Sequence, residues 1–186
     1  MAGFYKELIA AGFGGQGVMM LGQLVAYAGM YDDRHVLWIP SYGPEMRGGT
    51  ANCSTVVSDE PVGSPVIHKC DVCAVLNHPS LEKFENAPRP GGVLIYHSGL
   101  VKYPEPRTDI EVIGIPAGEL AAEIGSEKVA NIVILGAVVA ASGIVTRQAA
   151  RHVVEEKLGK KKPQFLPMNI KALQAGFDFV DNFEKK

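Results

Sequence analysis

The sequence predicts a doubly wound α/β domain with a mostly parallel, mixed sheet, and three observations carry that expectation. Short β-branched segments alternate with stretches of helical periodicity, which favours helices packed on a central sheet. A glycine-rich turn separates the first strand from the first helix. The links between the early strands are short enough to require an antiparallel component.

Leu8–Ala11 reads as a strand that ends in Gly12-Phe13-Gly14-Gly15-Gln16-Gly17, after which Val18, Met19, Leu21, Leu24, Val25 and Ala28 recur at helical spacing. His35–Pro40 is a second strand and completes a βαβ unit, with the loop 41–50 beyond it. Asn52–Val57 and Val62–Ile67 read as two strands joined by a turn. Cys70–Leu76 is a buried-type strand, followed by a short helix 80–85 that Ser80 is placed to cap. Gly92–Tyr96 and Ile110–Ile115 supply further strands around a proline-bearing surface loop, and helices are expected over 131–142, 146–158 with Thr146 as cap, and 170–183. At 186 residues the chain is read as one domain over residues 1–186, able to bury roughly 70% of its unfolded surface.

The bulk numbers exclude several classes of function. A formal charge of −2 gives no broad basic field for a nucleic-acid backbone, so nucleic acid is not an expected partner. The longest uncharged apolar run, Ile132–Val145, is 14 residues, short of the ~18 that span a bilayer, and no membrane partner is expected. Three cysteines, Cys53, Cys70 and Cys73, are too few for a secreted disulfide framework, and with an N-terminus unlike an export signal they point to the cytoplasm.

Gly12, Gly14 and Gly17 satisfy G-x-G-x-x-G between a strand and a helix, a Rossmann-like arrangement in which backbone N–H groups at the positive helix end receive an anion. The bland alternative is that the glycines only let helix and strand pack closely. A nicotinamide dinucleotide site adds an acid about 20 residues on, at the end of the second strand. Here that end reads Leu37-Trp38-Ile39-Pro40-Ser41, and Asp32 and Asp33 precede the strand. Val18 and Met19 stand where a nucleoside triphosphate loop would place Lys and Ser or Thr.

Beyond the second strand, the loop from Ser41 to Thr50 carries Arg47, able to pair a phosphate or carboxylate, with Gly48 and Gly49 permitting close backbone approach. A surface pair with Glu45 is the alternative reading. Cys70 and Cys73 form one C-x-x-C inside an apolar strand, where residues three apart point to opposite faces, so they read as buried hydrophobes and not as a metal site. His35, His68, His78, His97 and His152 show no paired ligand spacing, and no catalytic acid, base or nucleophile is assigned. Lys157, Lys160, Lys161 and Lys162 read as a helix C-terminal cluster that favours the helix dipole and solubility, with phosphate binding as the lesser alternative. The last helix, with Ile170, Leu173, Phe177 and Val180 at 3.6 spacing, offers either core packing or a partner contact.

The segments Gly12-Phe13-Gly14-Gly15-Gln16-Gly17-Val18 and Ser41-Tyr42-Gly43-Pro44-Glu45-Met46-Arg47-Gly48-Gly49 together resemble the gamma subunit of 2-oxoacid:ferredoxin oxidoreductases, most like the 2-oxoglutarate type. Asn52-Cys53-Ser54, Gly63-Ser64-Pro65, and Asn131 with Leu135-Gly136 extend the resemblance over nearly the whole chain. It implies oxidative decarboxylation of a 2-oxoacid, giving acyl-CoA and CO₂ while ferredoxin is reduced. It also implies a shared coenzyme A site drawing on Gly12, Gly14, Gly15, Gln16, Gly17, Ser41, Tyr42, Arg47, Gly48, Gly49 and Asn131. Thiamine diphosphate in this family uses a Gly-Asp-Gly that this sequence lacks, and iron–sulfur clusters take sets of cysteines. The resemblance therefore puts both on partners: alpha and beta subunits, with a delta subunit as a further candidate, and ferredoxin reached through the complex. The other readings are a free-standing dinucleotide-binding oxidoreductase and a purely structural assembly subunit.

Overall fold

The computed structural model describes residues 3–41, 50–63, 67–160 and 162–183. Six strands form one sheet in the order β2-β3-β1-β4-β5-β6: β1 (Tyr5–Phe13), β2 (His35–Ser41), β3 (Thr50–Ser58), β4 (Cys70–Val75), β5 (Pro88–His97) and β6 (Glu111–Ile115). β1, β4, β5 and β6 are parallel neighbours, while β3 lies antiparallel to both β1 and β2. The sheet is therefore mostly parallel and mixed, as expected, but its antiparallel strand pairs differently from the expectation. β3 inserts between β1 and β2, so the two strands of the first βαβ unit run the same way without touching. Residues 62, 63 and 67 carry no strand, which removes the expected hairpin partner for β3, and residues 64–66 lie outside the described residues. Pro40 is accommodated because β2 is an edge strand, where a missing N–H interrupts no ladder on its open side.

The helices divide unevenly between the sheet faces. α1 (Val18–Tyr31), α3 (Ala117–Ile124), α4 (Ala130–Ser142), α5 (Arg147–Gly159) and α6 (Leu166–Asp181) share the larger core with Leu8, Val72, Ile95 and Ile113. α2 (His78–Phe84) covers the other face over Ile9, Cys73, Val75 and Leu94. The apolar run beginning at Ile132 is α4, buried on almost every side. α6 packs against it through Gly136 and Gly176: a Cβ on Gly176 would lie 2.1 Å from the Val133 carbonyl oxygen, and one on Gly136 2.3 Å from that of Leu173. Leu173 and Phe177 are buried there, and Ile170 and Val180 pack half-buried against the same core, so core packing takes most of the apolar stripe of the last helix.

Local chemistry sets the helix ends. Thr146 caps α5, its hydroxyl accepting from the Ala149 N–H at 3.1 Å, while the Asp32 carboxylate accepts from both the N–H and the hydroxyl of Thr146 at 2.7 Å. Asn77 caps α2 by accepting from Ser80 N–H at 2.8 Å, so the cap is the residue before the helix and not Ser80. α3 was not expected: Pro116 starts it without a side-chain cap, and its Ala, Glu and Leu content carries the propensity. Among the described residues, no helix is long and apolar enough to cross a membrane.

A two-chambered candidate ligand site

The parallel strands deliver their carboxyl ends to one edge. β1 leads into the glycine turn, β4 into Leu76, β5 ends at His97 and β6 at Ile115. Since the chain moves from β1 outward to β2 and later returns to β4 on the other side, the crevice between β1 and β4 is the switch point at which open α/β sheets take ligands.

The glycines of the turn have distinct jobs. Gly12 closes the approach of β1 to its surroundings, since a Cβ there would lie 2.8 Å from Val18 and 3.0 Å from Leu76. Gly15 and Gly17 are left-handed, with φ of 96° and 80°. Gly15 has open space around it, whereas a Cβ on Gly17 would lie 2.4 Å from Asn131 Nδ2. Gly14 is exposed at the tip. The Gln16 side chain is used within the fold: its Oε1 accepts from Phe13 N–H at 2.6 Å and its Nε2 donates to the Leu76 carbonyl at 3.1 Å, tying the turn to the end of β4. Gly17 begins α1 without a side-chain cap, leaving backbone donors of the first turn available to a ligand.

Two cavities, of about 440 and 410 Å³, flank this turn and share Gly15, Gln16, Lys128 and Asn131 in their walls. The first runs over the sheet edge to Leu76, His97, Leu100, Glu119 and Ile134. The second runs between α1, α4 and the start of α6, past Met20, Lys162, Phe165, Met168 and Asn169. Asn131 stands at the junction, over Gly17, with its Nδ2 donating to the Met20 sulfur at 3.6 Å. The structure thus brings together Gly15, Gln16, Gly17 and Asn131, with Gly12 and Gly14 in the same turn. Ser41 sits at the same sheet edge but two strands away, paired with Asn52, which in turn pairs with Ala11. Tyr42, Arg47, Gly48 and Gly49 lie outside the described residues; Thr50, which follows them, pairs with Phe13 beside the turn.

Several cavity residues were not anticipated from the sequence. His97 ends a buried strand and is only 7% exposed. Burial pushes its pKa below the usual imidazole value, outweighing its own backbone and the Glu119 charge, which pull it up. Lys128 lies within a 3₁₀ turn, a context that reads as ordinary surface, and Lys162, one of the C-terminal lysine cluster, stands just before a second such turn. Asp32, by contrast, is committed to Thr146 at the far end of α1 and is no substitute for a ribose-binding acid.

The cysteines are buried as expected but not arranged as expected. A register irregularity between Cys70 and Val72 places Cys70 and Cys73 in the same core beneath α2, not on opposite faces. Their mutual hydrogen bond, followed by burial, raises the Cys73 pKa well above the thiol value, and burial raises that of Cys53 to about 11. Both are held as neutral thiols.

Comparison with known proteins gives a consistent set of matches. The family model "Pyruvate ferredoxin/flavodoxin oxidoreductase" matches residues 7–179. Ketoisovalerate oxidoreductase subunit VorA of Methanothermobacter marburgensis is 39% identical over 172 residues, covering 91% of this chain but 35% of VorA, so the chain spans about a third of that relative. The 2-oxoglutarate synthase subunit KorC of Methanocaldococcus jannaschii is 32% identical over 176 residues, covering 93% of this chain and 92% of KorC. Among solved structures, the keto/oxoacid ferredoxin oxidoreductase gamma subunit of Geobacter sulfurreducens superimposes with a TM-score of 0.83 at 32% identity, covering 96% of this chain and 99% of that one. The 2-oxoglutarate:ferredoxin oxidoreductase of Magnetococcus marinus, solved with 2-oxoglutarate, coenzyme A and succinyl-CoA, shares the fold at a TM-score of 0.85 and 24% identity, over 98% of this chain and 32% of that one.

Proposed function

Because the chain belongs to the pyruvate ferredoxin/flavodoxin oxidoreductase family, we propose that it is the gamma subunit of a cytoplasmic 2-oxoacid:ferredoxin oxidoreductase, acting on 2-oxoglutarate and contributing the coenzyme A site. End-to-end similarity to KorC and to the Geobacter gamma subunit supports the role of a separate gamma chain. In the reaction a 2-oxoacid and coenzyme A give acyl-CoA and CO₂, and the two electrons released reduce ferredoxin. Thiamine diphosphate and the iron–sulfur clusters belong to the alpha, beta and delta partners, and this chain positions the acyl acceptor.

The observation that carries the reading is the pair of cavities meeting at the glycine turn, Lys128 and Asn131. Uncapped amides, a helix N-terminus and one lysine converge there on a place for phosphate, with room for a ligand part on each side. In the complex isolated with its co-purifying subunits, Lys128→Ala and Gly14→Val should each raise the coenzyme A KM about tenfold while leaving the 2-oxoglutarate KM near that of the wild type. Unchanged coenzyme A dependence in intact variant complexes would refute the site. Comparing 2-oxoglutarate, pyruvate and 2-oxoisovalerate as substrates decides the acid, and preference for either of the latter two removes that part of the reading.

A further inference from the structure

The two chambers differ in charge. Their shared wall contributes Lys128; beyond it the larger chamber adds two carboxylates, Glu119 and Glu127, and the smaller adds a second lysine, Lys162, with no carboxylate among its described lining residues. An anionic ligand end is repelled from the first and drawn to the second, even with the exposed charges partly screened. The smaller chamber also presents Met20, Phe165 and Met168, soft and flat surfaces suited to a purine ring.

The larger chamber holds one unusual group. His97 is only 7% exposed, and its Nδ1 is sealed from solvent without a hydrogen-bond partner among the described residues. Such an arrangement is costly for a polar ring, and it leaves Nε2, not Nδ1, as the nitrogen a ligand can reach. The ring lies between Gly99 and Gly118: a Cβ on Gly99 would come within 3.1 Å of its Cε1, and one on Gly118 within 3.3 Å of its Nε2. Both glycines line the chamber, so their missing side chains leave room for the imidazole at the cavity wall and leave Nε2 as the nitrogen on the open side.

We propose that the ligand is bound with a fixed polarity, its phosphoadenosine end in the Lys162–Met168 chamber and its neutral amide arm in the other, where His97 hydrogen-bonds the arm through Nε2. This rests on the coenzyme A reading above and adds to it a direction and a recognition residue. A neutral imidazole suits an uncharged amide or hydroxyl, and the carboxylates beside it reject a phosphate. His97 is a positioning residue: it orients the arm whose thiol accepts the acyl group.

The test compares coenzyme A with adenosine 3′,5′-bisphosphate, which lacks the arm, by calorimetric titration of the purified complex. His97→Leu should weaken coenzyme A about threefold to tenfold and leave the bisphosphate within about twofold. His97→Asn, which keeps a polar end, should recover most of the loss. Equal weakening of both ligands, or no change in either, overturns the assignment of His97 to the arm while leaving the coenzyme A site standing. Wild-type complex that binds neither ligand overturns the site and this assignment together. Should His97→Leu fail to assemble, Ala122→Phe, at an exposed position on the same wall, obstructs the chamber without disturbing the buried ring. Selective loss of coenzyme A in that variant supports the polarity, and undiminished binding overturns it.

Discussion

Gly15 and Gly17 separate two effects that a sequence motif cannot. Both are left-handed, a backbone state that costs an L side chain roughly 1–2 kcal/mol, but only Gly17 also faces a neighbour at clash distance. Gly15→Ala should therefore cost about 1 kcal/mol, and Gly17→Ala distinctly more because Asn131 must move; chemical denaturation of both variants checks the order. The spacing Gly12, Gly14, Gly17 made the turn legible, yet it could not distinguish a glycine required for φ from one required for space, and it missed Gly15 as a left-handed position. His97 was illegible for a related reason: a histidine ending an apolar strand looks like any other until three distant segments close around it. Its burial has a measurable sign. Unfolded, the ring protonates around pH 6.5, while the folded value is depressed, so as pH falls through that window the unfolded state binds more protons and stability declines. The stabilisation is fully present above about pH 6.5 and is lost toward the folded value. Denaturation midpoints of wild type and His97→Asn between about pH 5 and 8 should show the steeper acid-side fall in wild type; parallel curves would contradict the burial effect.

At the scale of elements, the periodic segments were legible and the pairings were not. α4, α5 and α6 follow from apolar spacing and the Thr146 cap, and β4 to β6 from their β-branched runs, because each signal is local. β3 was recognised as a strand but given the wrong partner, since its place between β1 and β2 is decided by a sheet register spanning some of the most separated residues of the N-terminal half, such as Tyr5 against Ser58. The bulge that brings Cys70 and Cys73 to one side was likewise invisible to a strict two-residue alternation. The contact of α4 with α6 depends on backbones meeting at Gly136 and Gly176, which leaves no room for a methyl group. Gly176→Ala should destabilise the fold by about 3 kcal/mol, the upper end of overpacking costs, because the obstructing atom is a helix carbonyl that cannot swing aside. Thr146→Ala, which removes one cap and one bond to Asp32, should cost only about 1 kcal/mol. Melting both variants against wild type tests the contrast, and a Gly176→Ala protein as stable as Thr146→Ala would mean that α6 can shift freely.

For the whole molecule, the decisive feature is that the proposed site gathers recognition groups at the carboxyl edge of the sheet, while the described residues include no cluster of His, Cys, Asp or Glu able to hold a metal. The three cysteines illustrate the point physically. Cys53 lies in the main core, donating to the Val18 carbonyl at 3.5 Å, and Cys70 and Cys73 lie under α2; all are fully buried. Iron–sulfur ligation takes sets of thiolates, whereas here burial raises the Cys53 pKa to about 11, and the hydrogen bond to Cys70 together with burial raises that of Cys73. The same domain occurs in relatives both as a nearly whole chain and as about a third of a longer one, so its contribution is compatible with delivery either as a separate subunit or as a fused domain. On this basis the purified chain alone should reduce neither ferredoxin nor a viologen dye with any 2-oxoacid and coenzyme A, and it should show no visible absorbance from a cluster. Mixing it with alpha and beta subunits prepared without it should restore acyl-CoA formation, with a coenzyme A KM that follows the variant of this chain that is added. Turnover by the chain alone, at protein purity sufficient to exclude its partners, would place redox chemistry where these buried thiols cannot support it. Restored turnover with a coenzyme A KM indifferent to Lys128→Ala would instead leave the chain an assembly subunit, because a residue lining both chambers cannot be removed from an occupied phosphate site without weakening the ligand.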